Sequence, residues 1–139
     1  MRILLDTNVL PEIRKSKHND QVLEHVKKIG SDNIYLSSIT IGEIACGISR
    51  LDQGRKRQDL TAWLSHIENQ YHKRILPIDT DTARMWGEIT AKCQAKGRSL
   101  SPADGLIAAT ALRHGLHVMT RNVKDFESTG VILINPWEE

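Results

Sequence analysis

The chain has 139 residues, of which 40% are apolar and 26% are charged, a mixture that excludes a fibrous or disordered protein and predicts one folded domain spanning residues 1–139. Nineteen Lys and Arg against 17 Asp and Glu leave a formal net charge of +2, which excludes a strongly basic nucleic-acid-binding coat but not a local basic groove. The opening apolar run, residues 3–5, is far too short for a signal peptide or a membrane span, so we expect a cytoplasmic protein with no membrane partner.

Short apolar runs and longer segments of helical period alternate along the sequence. The runs predict strands, at residues 3–5, 34–36, 75–78, 117–120 and 131–134. The periodic segments predict helices, at residues 21–29, 37–51, 56–71, 80–95 and 102–114. Pro77 places its strand at the edge of a sheet, and Thr80 or Asp81 is expected to cap the helix that follows. Cys46 and Cys93 are expected to be packed thiols.

Strands that are separated by helices of ten or more residues pair in parallel, with helices on both faces of the sheet. The sequence therefore predicts an α/β fold. No glycine-rich phosphate-binding motif is present, which weighs against a nucleotide cofactor.

Three acidic residues occupy positions near the predicted carboxyl ends of strands, where open parallel sheets bind their ligands. Asp6 directly follows the first strand, Glu43 lies in the first turn after the second strand, and Asp104 lies in the first turn of the helix that begins at Pro102. Ile107, Ala108 and Ala111 follow Asp104 at helical spacing and put its carboxylate on an apolar face, where an unpaired charge is costly.

Helix capping is the alternative interpretation of each acid. Thr40-x-x-Glu43 and Ser101-x-x-Asp104 both resemble capping boxes, and Asp6 could cap the short segment after it. If instead the three carboxylates meet, two of them about 4 Å apart repel by roughly 4 kcal/mol at an effective dielectric of about 20, and a cation relieves this repulsion. Oxygen ligands favour Mg²⁺ or Mn²⁺, which suits hydrolysis of a phosphodiester. This set of acids therefore points to a metal-dependent nuclease.

Five segments, in order along nearly the whole chain, resemble those of the PIN-domain ribonucleases, in the form of the VapC toxins of toxin–antitoxin pairs and their FitB-like relatives. The segments are LDTNVL at 5–10, SSITIGEI at 37–44, PADGLIAATA at 102–111, TRNVKDF at 120–126 and NPW at 135–137. The resemblance implies an α/β/α sandwich around a parallel sheet. It also implies a Mg²⁺- or Mn²⁺-dependent endoribonuclease that cuts tRNA or rRNA and leaves 5′-phosphate and 3′-hydroxyl ends.

Site residues follow from the resemblance position by position. Asp6 and Asp104 are implied as the metal ligands and Glu43 as a third catalytic acid. The fourth catalytic position is Asp in some family members but Asn122 here, which puts a permanently occupied second metal site in doubt. Asp125, three residues later, either supplies the missing charge from outside the coordination sphere or is a capping residue.

Neighbouring polar residues could support this site. Thr7 and Thr120 stand where they could hydrogen-bond a metal-binding carboxylate, and Asn8 could tie Asp6 to a neighbouring loop. Arg121 and Lys124 stand where they could bind RNA phosphates. The family further implies a homodimer and a VapB-like antitoxin, through which the pair would bind promoter DNA.

Other function classes remain as alternatives. A non-catalytic PIN module that serves as an antitoxin-bound regulatory subunit is suggested by Asn122. A dehalogenase-type phosphatase would need Asp where Asn8 stands, and a receiver domain would need a strand-end Asp pair and a Lys that the sequence lacks.

Overall fold

A computed structural model describes residues 1–15 and 19–138. Its five strands are β1 (Ile3–Leu5), β2 (Ile34–Ser37), β3 (Ile75–Leu76), β4 (His117–Met119) and β5 (Leu133–Ile134). They form one parallel sheet in the order β3-β2-β1-β4-β5. The predicted α/β fold with a parallel sheet is confirmed, as is the edge position of the strand at residues 75–76 beside Pro77.

Helices pack on both faces of the sheet. They are α1 (Val9–Arg14), α2 (Asp20–Ile29), α3 (Ser38–Ser49), α4 (Arg55–Gln70), α5 (Thr80–Ala95), α6 (Pro102–His114) and α7 (Val123–Phe126). Side chains alternate across β1, so Ile3 and Leu5 join the core under α1 to α4 while Leu4 joins the core under α6. All three are fully buried, which is why the strand lacks a polar face.

Three details differ from the sequence-based expectations. Helices α1 and α7 were not predicted, because six and four residues are too few to show a helical period. Helix α5 is capped by Asp79, whose carboxylate accepts a 2.9 Å hydrogen bond from the backbone of Thr82, so the expectation for Thr80 or Asp81 was wrong. Cys93 is buried as expected, but Cys46 is exposed on α3. Within the described residues no helix is long and apolar enough to cross a membrane.

Candidate active site

The predicted site residues gather at the carboxyl ends of the central strands. Because β2, β1 and β4 are neighbours and run in parallel, their ends form one edge of the sheet. Asp6 follows β1 there, α3 brings Glu43 from the end of β2, and Thr120 follows β4. The first turn of α6 brings Asp104 to the same edge. There the charge of Asp104 helps to raise the pKa of Asp6, and the charge of Glu43 helps to raise the pKa of Asp104.

Asp6 is the most deeply enclosed of these acids, with 5% of its surface exposed. Its Oδ2 accepts hydrogen bonds from the Thr120 hydroxyl at 2.8 Å and from the Asn8 amide at 3.3 Å. Its Oδ1 accepts a 2.8 Å bond from the backbone N–H of Thr7. Since these donors reach both oxygens of the carboxylate, they fix its orientation, and Thr120 makes the kind of contact that the sequence suggested for it.

Thr7 also holds the second acid. Its hydroxyl contacts Oε1 of Glu43 at 2.5 Å and lies 3.3 Å from the hydroxyl of the fully buried Thr40. Glu43 itself is exposed, so the contact with Thr7 restricts a side chain that the surrounding core does not hold, and it anchors that side chain beside the end of β1. The Thr7 side chain therefore supports Glu43, whereas the Thr7 backbone N–H supports Asp6.

Asp104 is half-buried in the first turn of α6, and its position depends on how that turn is fixed. The Ser101 hydroxyl caps the helix by accepting a 3.2 Å hydrogen bond from the Asp104 backbone. Gly105 lies against α5, where a Cβ atom would come within 2.7 Å of the Trp86 indole. Only glycine allows this close approach of the two helices, so the turn that carries Asp104 is held from two sides.

Comparison with known proteins agrees with this geometry. The family model described as PIN domain matches residues 3–131. The chain is 36% identical to the VapC ribonuclease Y4jK of Sinorhizobium fredii, with 98% of both chains covered, and 36% identical to the toxin FitB of Neisseria gonorrhoeae, with 99% of both covered. The chain belongs to the PIN-domain family. Within that family it is similar to the VapC and FitB toxins, as the sequence motifs indicated.

Solved structures show the same fold. The crystal structure of FitAcB from Neisseria gonorrhoeae matches with a TM-score of 0.92 and 36% identity over 99% of both chains. The structure of FitAB bound to a DNA fragment matches with a TM-score of 0.92 and 34% identity, covering 99% of this chain and 96% of that chain. The expected PIN-like α/β/α sandwich is therefore confirmed.

Electrostatics mark the acidic edge of this PIN domain as a place of unbalanced negative charge. Burial raises the pKa of Asp6 above its ordinary value, and the charges of Asp104 and Glu43 raise it further, against the hydrogen bonds from Thr120 and Thr7. Burial also raises the pKa of Asp104, with contributions from the charges of Asp125 and Glu43. The charges of neighbouring acids therefore act on both Asp6 and Asp104 at this edge.

These residues fit a hard divalent cation. Carboxylate oxygens are the ligands that Mg²⁺ and Mn²⁺ prefer, and an ion here would offset both the burial of charge and the repulsion between neighbouring acids that together raise the two pKa values. The carbonyl oxygen of the buried Asn8 amide has no hydrogen-bond donor among the described residues. No three acidic, His or Cys side chains within residues 1–15 and 19–138 are grouped as a complete ligand set. The arrangement suits Mg²⁺, which takes one or two carboxylates and completes its coordination with water.

The loop after β4 carries the other predicted residues. The Asn122 backbone donates a 3.0 Å hydrogen bond to the Thr120 hydroxyl, which places the Asn122 residue beside the acidic edge. Asp125 lies near enough to Asp104 to raise its pKa. Arg121 and Lys124 are exposed, and together with Asn122 and Asp125 they line a surface cavity of about 480 Å³.

Two of the three capping interpretations are wrong. Ser37 at the end of β2 caps α3, so Glu43 lies in the second turn of that helix and Thr40-x-x-Glu43 is not its capping box. Asn8, and not Asp6, is the residue that precedes α1. Among the described residues, Thr7 is the one whose backbone N–H donates to the Asp6 carboxylate, so Asp6 does not cap this helix. At α6, in contrast, the expected Ser101 cap is present. The role of Thr40, packed beneath Thr7, was missed because the local sequence pattern suggested a cap instead.

Proposed function

We propose that this chain is a Mg²⁺- or Mn²⁺-dependent endoribonuclease and the toxin of a toxin–antitoxin pair. The observation that carries the proposal is the buried Asp6, oriented by three hydrogen bonds and raised in pKa by burial and by the charges of Asp104 and Glu43. A carboxylate that is held rigidly among other carboxylates is poised for a cation and not for an internal ion pair. Similarity to a VapC ribonuclease supports RNA as the substrate.

Each acid has a distinct part in the proposed reaction. Asp6 and Asp104 would hold the ion, which when bound would supply a Lewis acid that polarises the phosphodiester and makes water more acidic. Glu43, anchored by Thr7, orients the attacking water and accepts its proton. The water oxygen bonds to phosphorus as the bond to the 3′ oxygen breaks. That oxygen takes a proton from solvent, and Glu43 later returns its proton to solvent, which leaves 3′-hydroxyl and 5′-phosphate ends. The Asn122 amide, which carries no charge, orients water or substrate.

Cleavage of purified tRNA and rRNA tests this proposal. We expect discrete fragments with Mg²⁺ or Mn²⁺, none with EDTA, and none from Asp104→Asn. Asp59→Asn is the matched control, because Asp59 is an exposed carboxylate on α4 whose partner is Arg55, at 3.9 Å. Metal-independent fragments, or full activity of Asp104→Asn, would refute the site.

A non-catalytic regulatory subunit is the second candidate function. Asn122 in place of a fourth acid favours it. This alternative predicts a folded protein that binds antitoxin and cleaves neither tRNA nor rRNA at any Mn²⁺ concentration.

An antitoxin segment fits a groove beside the site. The groove has a volume of about 540 Å³ and an apolar floor on α3 and α4, and it reaches Thr7 and Glu43. Arg14, Lys15 and Lys56 lie along its rim. We infer that the VapB-like antitoxin places an apolar segment with acidic flanks in this groove and covers the acids, and that promoter DNA is bound through the antitoxin. Ile48→Glu is expected to abolish inhibition by the antitoxin in a cleavage assay, since it puts a negative charge on the groove floor.

Assembly is a further part of the proposal. We infer that residues 1–139 form one domain and that two copies form a homodimer. Light scattering of the purified toxin should give about twice the monomer mass, and a monomeric mass with full RNase activity would remove the dimer from the proposal.

A further inference from the structure

Four arginines in the described residues lie over aromatic rings, and they divide into two kinds. Arg2 lies 5.8 Å from the Tyr35 ring and Arg74 lies 5.4 Å from the Tyr71 ring. Both guanidinium groups also donate to a backbone carbonyl, that of His114 for Arg2 and that of Ile34 for Arg74. These two arginines precede β1 and β3, so they lie at the amino ends of the strands, away from the acids.

The other two arginines lie over tryptophans at the acidic edge. Arg14, in the last turn of α1, is 5.8 Å from the Trp63 ring, and Arg121, after β4, is 5.3 Å from the Trp137 ring. Within residues 1–15 and 19–138 neither guanidinium has a hydrogen bond or an ion pair. Both are exposed, so their five N–H donors face solvent while the planar groups are held by the rings.

The two tryptophans beneath these arginines pack against one hydrophobic core. Trp63 and Trp137 are partly buried against the same hydrophobic core, the one under α1 to α4. Arg14 shares a groove with Thr7 and Glu43, on the β2 side of Asp6. Arg121 follows Thr120 on the β4 side of Asp6. In the order of the sheet, the two arginines therefore lie on opposite sides of Asp6.

Glu12 interacts with the charge of Arg121, which helps to lower the pKa of its carboxyl after the larger effect of Lys15, but it forms no ion pair with Arg121 among the described residues. The Glu12 carboxylate forms an ion pair with the Lys15 ammonium at 2.9 Å and accepts a 3.0 Å hydrogen bond from the Asn19 backbone N–H. The positive charge of Arg121 is therefore available to a ligand.

We propose that Arg14 and Arg121 form a two-point clamp for the RNA backbone, each binding a phosphate on one side of the scissile bond. This inference rests on the proposed nuclease function and assigns its substrate contacts. A polyanion that approaches four carboxylates needs fixed positive charge nearby, and a guanidinium binds phosphate through two parallel hydrogen bonds. The tryptophan beneath each arginine reduces the conformational freedom that binding would otherwise remove.

Binding measured without cleavage tests the clamp. In the Asp104→Asn background with EDTA, a short fluorescein-labelled RNA is titrated by anisotropy at several salt concentrations. Arg14→Gln and Arg121→Gln are each expected to weaken binding about tenfold and to reduce the slope of log affinity against log salt by about 0.7. Arg2→Gln is the matched control, since it removes the same charge from a stacked arginine at the other end of the sheet, and it should change neither quantity comparably.

Lysine variants separate the clamp from simple charge. Arg14→Lys and Arg121→Lys keep the charge but lose the planar fork and its stacking, so both should bind RNA more weakly than the parent. Three outcomes would overturn the clamp. The lysine variants could bind RNA with unchanged affinity, the glutamine variants could bind RNA as Arg2→Gln does, or the parent could bind no RNA. The clamp would also be overturned by an Arg14→Gln variant that loses affinity only for the antitoxin.

The proposed nuclease activity is tested separately by metal-dependent cleavage with the wild-type chain. Cleavage with no effect of either arginine would refute the clamp alone. Arginine-dependent binding without cleavage would refute the nuclease and leave an RNA-binding clamp.

Discussion

The Thr120 hydroxyl donates a 2.8 Å hydrogen bond to Oδ2 of Asp6 across 114 residues of sequence. Thr120 is fully buried, and its oxygen also accepts a 3.0 Å hydrogen bond from the Asn122 backbone. One side chain therefore orients the central carboxylate and places the loop that carries Asn122. The adjacency of β1 and β4 in the sheet makes this contact possible.

Thr120→Val should weaken the metal site while preserving the shape of the core. Valine is nearly isosteric with threonine but leaves Oδ2 of Asp6 without its shortest hydrogen bond, which further raises the pKa of that carboxyl. Loss of such a supporting contact typically lowers metal affinity about 10- to 100-fold. Calorimetry with Mn²⁺ measures the effect.

Two variants control this experiment. Thr120→Ser retains the hydroxyl and should retain most of the affinity. Thr110→Val removes another buried hydroxyl, one that donates to the Leu106 carbonyl within α6, and should leave Mn²⁺ binding nearly unchanged. Wild-type affinity in Thr120→Val would show that the hydrogen bond does not orient a metal ligand.

Asn122→Asp should strengthen Mn²⁺ binding by about tenfold, because it adds a charge beside the acidic edge. Asp125→Asn should weaken binding, since the Asp125 charge already reaches Asp104 and raises its pKa. Both affinities are measured by calorimetry at one pH and one salt concentration. An unchanged affinity in Asn122→Asp, with a reduced one in Asp125→Asn, would identify Asp125 as the residue that supplies the fourth charge.

The sequence predicts the central strand β1 well because burial on both faces leaves no polar residue within it. Ile3, Leu4 and Leu5 are fully buried, and the strand ends at Asp6 as its polarity indicates. Helix α1 could not be predicted in the same way. It has six residues and contains Pro11, and its place is set by packing of Val9 and Leu10 into the core.

Positions of the acids were predictable from the ends of the strands, but their contacts were not. Thr7 meets Glu43 across 36 residues, and no local pattern encodes that contact. The pattern Thr40-x-x-Glu43 favours a cap, yet Ser37 lies at the strand end and takes that role first. Which of the neighbouring hydroxyls caps the helix depends on where the backbone turns from strand into helix, and here that position is Ser37.

Asp104→Asn should raise the melting temperature of the metal-free protein at pH 7 while abolishing cleavage. The pKa of Asp104 is raised by burial and by its acidic neighbours, so the folded state holds its proton more tightly than the unfolded state. Above the raised pKa of the folded state, the ionised carboxylate therefore destabilises the fold. This penalty disappears as the pH falls from the raised pKa of the folded state to the lower, ordinary pKa of the unfolded state. We expect a gain of about 2–4 °C at pH 7.

Thermal unfolding in EDTA from pH 7 to acidic pH checks this expectation. The difference between Asp104→Asn and wild type should shrink as the pH falls, whereas Asp59→Asn should show no comparable gain. Saturating Mn²⁺ should raise the melting temperature of wild type and not that of Asp104→Asn. A variant that is less stable than wild type at pH 7 would contradict the unbalanced charge of the site.

Ser101→Ala should lower both stability and metal affinity, because the Ser101 hydroxyl caps the turn of α6 that carries Asp104. Loss of an N-cap costs about 1 kcal/mol, or roughly 3–5 °C in melting temperature for a chain of this size. Asn19→Ala is the matched control, since Asn19 caps α2 through the backbone N–H groups of Gln21 and Val22. The two variants should lose similar stability, but only Ser101→Ala should bind Mn²⁺ more weakly, and Ser101→Thr should restore both properties. Equal Mn²⁺ affinity in the two alanine variants would mean that Asp104 keeps its position without the cap and that packing of Gly105 against Trp86 is sufficient to hold it.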